Sequence, residues 1–212
     1  MLCQDMTTSP SYEWIEPTQA RSREKVGRIL NAARSSLIES GTLDLKMTDV
    51  AKAASVAVGT LYQFFPTRSA LIQKLFAEEM KLIDAGVAKT FYDLSNLNTL
   101  SAQIQVQLIA DLDLVRSRPA MMVIWGSAAV DPVVQMADMI NTRKNAAVLS
   151  ERITAELGPN ADLDAISATA TLVCHLWGSV IRLCMQSDPQ QADEIIRQYA
   201  KMIAQHTQSL IG

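Results

Sequence analysis

Histidine and cysteine are nearly absent from this chain, and their scarcity removes most catalytic and metal chemistry at the outset. Of the 212 residues only His175 and His206 are histidines, and Cys3, Cys174 and Cys184 are the cysteines. No nucleophile elbow, Gly-rich phosphate loop or H-E-x-x-H motif occurs, so no catalytic residue is expected. Cys174-His175 and Cys184 are the nearest approach to a metal site. Ten helical residues would turn Cys184 well away from Cys174, and no fourth ligand lies nearby, so neither a metal nor a cofactor is expected. An odd, unpaired cysteine set also argues against a disulfide framework and for a reducing, cytoplasmic setting.

Glycine (8) and proline (7) are scarce while Ala, Leu, Ile, Gln and Met are plentiful, which favours helices over sheets. The N-terminus carries Asp5, Glu13 and Glu16 and lacks both a positive n-region and an apolar h-region, so a secretory leader is not supported. No repeat or low-complexity segment occurs. One stretch, Ala165 to Ile181, is free of charge, but it is short for a membrane span and contains Ser, Thr, His and Gly. A helix buried in a core or a subunit interface is the expected reading, with no membrane partner.

What is present is a charge asymmetry. Arg21 to Phe76 holds nine Lys/Arg against four acids, a net +5, although the whole chain is −3. Residues 1–20 carry −3 and residues 77–212 carry −5. A phosphate-binding surface requires such a local excess, although a solvated face can show it as well.

Within the positive third, Val26, Ile29, Leu30, Ala33 and Leu37 recur at helical spacing, and Gly41 suits a left-handed cap. That helix is expected to end near Glu39 or Ser40, with Gly27 costing it about 1 kcal/mol relative to Ala. Thr48 to Ala54 reads as a second short helix, Ser55-Val56 as a tight turn, and Val58 to Phe65 as a third helix. Pro66 disfavours continuation at Phe65, and Thr67 can cap a fourth helix through Leu71, Ile72, Leu75 and Phe76 to Phe91. Two short helices joined by a turn present a helix end to a DNA groove. Gly59 and Thr60 remove bulk where backbone and phosphates approach, Tyr62 offers a hydroxyl to a phosphate, and Leu61 and Phe65 read as the buried side.

The blocks RILNAARSSLIESG (28–41), DVAKAA (49–54) and VGTLYQFFPTRSALI (58–72) have the order and spacing of the DNA-binding domain of the tetracycline-repressor (TetR) family, which the segment from Arg21 to Met80 resembles. The resemblance implies base or groove contacts by Val58, Gly59, Thr60, Gln63 and Phe64, and phosphate contacts by Tyr62 and Arg68. Gln63 can pair with adenine N6/N7, and Val58 offers an apolar contact to a thymine methyl. Arg21 and Arg23 can reach the backbone or an adjacent minor groove. Three departures stand out: Ser55 where many members carry Gly, Ala57 where Ser or Thr caps the third helix, and Lys46 where Thr or Ser is usual. Lys46, with Thr48 beside it, becomes a further candidate phosphate contact. Loss of the capping hydroxyl costs about 1 kcal/mol.

Downstream the punctuation predicts a wholly helical second domain, about nine helices in all. Helices are expected over 97–118 and 119–129. Pro132 to Leu157 follows behind an Asp131 cap. One more opens at Asp162 or Asp164, and a last one runs from Asp188-Pro189 to about Ser209. The expected organisation is all-α, with a flexible arm at 1–20, a helix-turn-helix domain at 21–80 and a helical effector-binding and dimerisation domain at 81–212. Val173, Trp177, Val180, Ile181, Ile196, Tyr199 and Ile203 are the expected dimer stripe, closing a four-helix bundle across a two-fold axis. The expected operator is then a near-palindrome with recognition helices about 34 Å apart or somewhat more. Family resemblance further implies a small-molecule effector, for which Phe91, Met121, Met122, Trp125, Met136, Met139 and His175 are the candidate lining of a largely apolar cavity; plain core packing is the alternative for each. A helical interaction module that has lost specific DNA binding is the competing function.

Overall fold

A computed structural model describes residues 14–93, 96–158 and 160–208; among these, every regular element is helical. Nine α-helices run in order: α1 (Ala20–Ser40), α2 (Met47–Ala53), α3 (Val58–Phe64), α4 (Arg68–Tyr92), α5 (Leu100–Arg116), α6 (Pro119–Gly126), α7 (Pro132–Leu157), α8 (Leu163–Met185) and α9 (Pro189–Gln208). The chain divides into two compact units, one ending at Glu78 and the other beginning at Glu79.

The first unit is built on the periodic stripe of α1. Val26, Ile29, Leu30, Ala33 and Leu37 are all buried, and α1 stops where Gly41 takes φ 66° and donates its N–H to the Leu37 carbonyl at 2.9 Å. Met47, Val50 and Ala51 of α2, Leu61 of α3, and Leu71, Ile72 and Leu75 of α4 complete the core. Thr67 Oγ1 accepts from the Ala70 N–H at 3.1 Å and so starts α4 after Pro66.

Residues 1–13 of the expected arm lie outside the described residues. From Trp14 onward the segment is tied down rather than free: the Ile15 N–H donates to the Phe64 carbonyl at 3.0 Å. The Lys74 ammonium sits 5.0 Å from the Trp14 ring centroid and pairs with Glu16. This strap supplies a partner to one of the carbonyls that a helix end leaves without one.

In the second unit three aspartates cap helices. Asp131 accepts from the N–H groups of Val133 and Val134 at α7, Asp162 from Asp164 and Ala165 at α8, and Asp188 from Gln191 at α9. Two boundaries are shorter than the periodicity predicts. Residues 97–99 form a 3-10 turn, with Leu97 donating to the Glu156 carboxylate, and α5 starts only at Leu100; α6 ends at Gly126 and tightens into a 3-10 turn over Ser127–Ala129. Helices α5, α7, α8 and α9 pack on one another. Helix α8 is long and apolar enough to cross a membrane, but Ile166, Ala170, Val173, Trp177, Ile181 and Cys184 form one stripe that is buried within the unit.

Candidate nucleic-acid interface and ligand cavity

The turn before α3 is made by Ser55, at φ 53° the only non-glycine with positive φ among the described residues. A side chain costs about 1–2 kcal/mol in this left-handed region, and the Ser55 and Val56 N–H groups, bonded to Lys52 and Ala51, hold it there. Ala57 occupies the cap position of α3 and makes no side-chain bond to it, so the missing hydroxyl is not replaced from within the cap residue.

Helix α3 is divided sharply into an inner and an outer side. Leu61 is 0% exposed, and Phe65, just past its end, is 1% exposed. Val58 and Tyr62 are 39% and 44% exposed, Gly59 and Gln63 are exposed as well, and Thr60 and Phe64 are half-buried. No protein atom lies within 4 Å of where a Cβ of Gly59 would stand, so its missing side chain serves no internal packing. Lys46 at the cap of α2 and Thr48 in its first turn are exposed. Arg68 meets Asp44 at 3.3 Å with both side chains solvated; such a pair is worth about 0–1 kcal/mol, so the guanidinium is released to another anion cheaply. Arg23 instead donates to the Thr18 carbonyl at 2.6 Å, while Arg21 is exposed.

The stripe expected to meet a second copy lies elsewhere. Val173, Trp177, Ile181, Ile196, Tyr199 and Ile203 are buried within the chain itself; of the seven Val180 alone is half-buried, and Tyr199 joins it at the outer surface only by its edge. The reason is visible in their bonds. Trp177 donates from its indole to Asp111 on α5 at 2.9 Å, and the Tyr199 hydroxyl donates to the Val173 carbonyl at 2.5 Å. Both are internal ties among α5, α8 and α9. The outward faces of α8 and α9 carry a second apolar set: Leu172, Leu176 and Leu183 are exposed, as is Met202 at 60%. A groove of about 570 Å³ runs between them, lined also by Val180 and Ile195 and edged by Gln191, Glu194 and Gln198.

The expected effector pocket is partly displaced too. Phe91 and Met121 are fully buried core residues, Phe91 packing edge-on against Trp177 with centroids 6.0 Å apart. Met122 is exposed at the surface, and Met136 and Met139, both half-buried on α7, are not among the residues lining the cavity that holds Trp125 and His175. Trp125 and His175 do line one. It is a cleft continuous with solvent, in which the space open to water-sized groups is about 30 Å³, with Met80, Ile83, Val87 and Trp177 completing its apolar wall.

Its other wall is polar, and sequence reasoning missed it. Asp138, Asn141, Thr142 and Asn145 stand at i, i+3, i+4 and i+7 along α7, one face of the helix, and that face points into the cavity. Trp125 donates its indole N–H to Asp138 at 3.2 Å, and the amides of Asn141 and Asn145 donate to Asp84 Oδ1 at 2.7 and 3.3 Å. Asn145 Oδ1 and His175 Nδ1 are buried without a protein partner.

Comparison with known proteins bears on both units. Residues 29–75 match the family model described as bacterial regulatory proteins of the tetR family, and residues 103–208 match the one described as the tetracyclin repressor-like C-terminal domain. The HTH-type transcriptional repressor KstR of Mycolicibacterium smegmatis is 40% identical over 63 residues, 30% of this chain and 31% of that repressor. The chain therefore matches less than a third of the length of this curated relative. Among solved structures, a TetR-family regulator from Syntrophomonas wolfei superposes with a TM-score of 0.66 at 13% identity, covering 86% of this chain and 95% of its own. GusR of Salmonella enterica gives 0.59 at 22% identity, covering 88% and 95%. These likenesses carry the fold.

Proposed function

The chain belongs to the TetR family of bacterial regulatory proteins, and from that premise we propose that it is a transcriptional repressor which holds a DNA operator as a homodimer and leaves it when a small molecule binds the second unit. The observation that carries the DNA-binding part is the division of α3. Leu61 and Phe65 anchor the helix, and what they leave outside is a compact surface of Val58, Gly59, Tyr62 and Gln63, in which Gly59 has no internal packing to do. Tyr62 and Arg68 position the helix on phosphates, and Gln63 reads a base edge. With one polar reader, part of the sequence preference comes from DNA shape.

The dimer forms through the outer faces of α8 and α9. Leu172, Leu176, Leu183 and Met202 make an apolar patch larger than isolated surface residues explain, and a two-fold axis through it places the same patch on both partners. The operator is then a near-palindrome with half-sites about 34 Å apart or somewhat more. The cavity beside Trp125 receives the effector, which weakens operator binding by its differential affinity for the non-binding arrangement.

The test is binding of the purified chain to its own upstream region across a salt series. Affinity that falls steeply with salt and selects one fragment over bulk DNA is expected. No preference for any genomic fragment would leave a helical interaction module of the same fold.

A further inference from the structure

We propose that the molecule taken up by the second unit is a neutral ring-bearing alcohol, a phenol or an alicyclic alcohol, whose hydroxyl lies between Asn145 and His175. This rests on the regulatory reading above for its biological consequence, but its chemistry comes from the cavity wall alone.

A polar stripe on a helix ordinarily faces water, and turning one inward is costly unless each group finds a partner. Along this face of α7 the amides of Asn141 and Asn145 and the Asp138 carboxylate have partners. Asn141 and Asn145 spend N–H groups on Asp84, which also has Lys144 at 3.6 Å, and Asp138 is occupied by the indole of Trp125. Among the lining residues what is left over is the carbonyl oxygen of Asn145, a residue 6% exposed, and the Nδ1 of His175; Arg182 Nη1, also buried without a partner, stands behind Trp125 and Gly178 and is not part of the lining. The first can only accept a hydrogen bond; the second accepts or donates according to tautomer. A hydroxyl answers both, donating to Asn145 while exchanging either role with His175.

Charged guests answer them badly. A carboxylate would set its oxygens against the Asn145 carbonyl and beside Asp138. An ammonium finds both nearby carboxylates already engaged and brings a desolvation cost the apolar wall does not repay. Opposite the polar stripe stand Trp125, Trp177, Met80 and Ile83, surfaces suited to a ring. The space in the cleft open to water-sized groups is about 30 Å³, about two such groups at roughly 10–15 Å³ each, which is room for a hydroxyl and its first attached atoms.

Titration calorimetry on the full-length chain tests this with phenol, cyclohexanol, benzene, benzoate and benzylamine. Phenol and cyclohexanol are expected to bind saturably, with a Kd at least about tenfold below those of benzene, benzoate and benzylamine. Asn145→Leu and, separately, His175→Phe are expected to erase the preference of phenol over benzene; using both keeps a test available if one variant does not fold by circular dichroism. Equal affinity for benzene and phenol, tighter binding of benzoate or benzylamine, or no binding of any alcohol would overturn the proposal. Operator binding by the same preparation separates the two readings. DNA bound without any alcohol bound refutes this inference alone, whereas an alcohol bound without DNA binding refutes the repressor reading and leaves the cavity chemistry standing.

Discussion

Asp111 offers a prediction whose size can be worked out. Its carboxylate lies between α5 and α8, 1% exposed, and accepts hydrogen bonds from Trp177 at 2.9 Å and from Gln107 at 2.7 Å. Burial raises its pKa from 3.8 to about 6, against the lowering effect of those two bonds and with a further push from Asp84. Folded Asp111 thus holds a proton between about pH 4 and about pH 6 that the unfolded chain has lost. The stability this group contributes is full below about pH 4 and is lost as pH rises through about 6. At about 1.36 kcal/mol per pH unit, a shift of roughly two units comes to about 3 kcal/mol. Asp111→Asn cannot titrate, yet it keeps an acceptor for Trp177 and offers an N–H that Gln107 can accept once its amide turns over. Urea unfolding of both proteins at about pH 4, 5, 6 and 7 isolates the effect, because every other carboxylate cancels in the difference. The variant is expected to gain about 2 kcal/mol on the parent between the ends of that range, the rest of the effect lying below about pH 4. Parallel stability profiles would refute the reasoning, since they would mean that Asp111 titrates in the fold as it does in the open chain.

Three further predictions concern function and fold. Tyr62→Ala and Arg68→Ala are expected to weaken binding to every DNA sequence alike, whereas Gln63→Ala relaxes preference at one base pair by about 1–3 kcal/mol; a binding selection on randomised half-sites distinguishes these, and unchanged affinity in all three variants would remove α3 from the interface. Leu176→Glu with Met202→Glu is expected to give a monomer by light scattering at micromolar concentration with its helicity intact, and a persisting dimer would move the interface away from the outer faces of α8 and α9. Leu61→Ala removes a fully buried side chain and is expected to cost about 2–5 kcal/mol in the first unit, read by denaturant unfolding; a loss below about 1 kcal/mol would contradict the anchoring role.

Most of the helical frame is legible in the sequence because its punctuation is local chemistry. Gly41, Asp131-Pro132, Asp162 and Asp188-Pro189 each act on the backbone within a few residues, and the helices begin or end there. The buried face of α3 is legible for a similar reason: Leu61 and Phe65 share one side of a short helix whose other side is mixed. What periodicity could not resolve is which side of α8 faces in. Val173, Trp177 and Ile181 alternate with Leu172, Leu176 and Val180, both sets are apolar, and only the bonds from Trp177 to Asp111 and from Tyr199 to the Val173 carbonyl select the first as core. On α7 the difficulty is reversed. A polar stripe at helical spacing is the ordinary mark of a solvated face, and nothing local shows that Asp138, Asn141, Thr142 and Asn145 turn inward; that is decided by Asp84, which lies far away in sequence. The wall of the cavity was therefore the part of the site that sequence could not supply.

The strap at Trp14–Glu16 has an evolutionary consequence. It lies ahead of residues 29–75, the part of the first unit that matches the family model, yet it grips the Phe64 carbonyl at the end of α3, the helix we propose faces DNA. On that proposal, changes there would alter how firmly α3 is held and leave untouched every side chain assigned to read a base. Operator strength and operator identity would then be written in separate stretches of the chain, so a lineage could adjust how tightly a gene is shut without changing which gene it is.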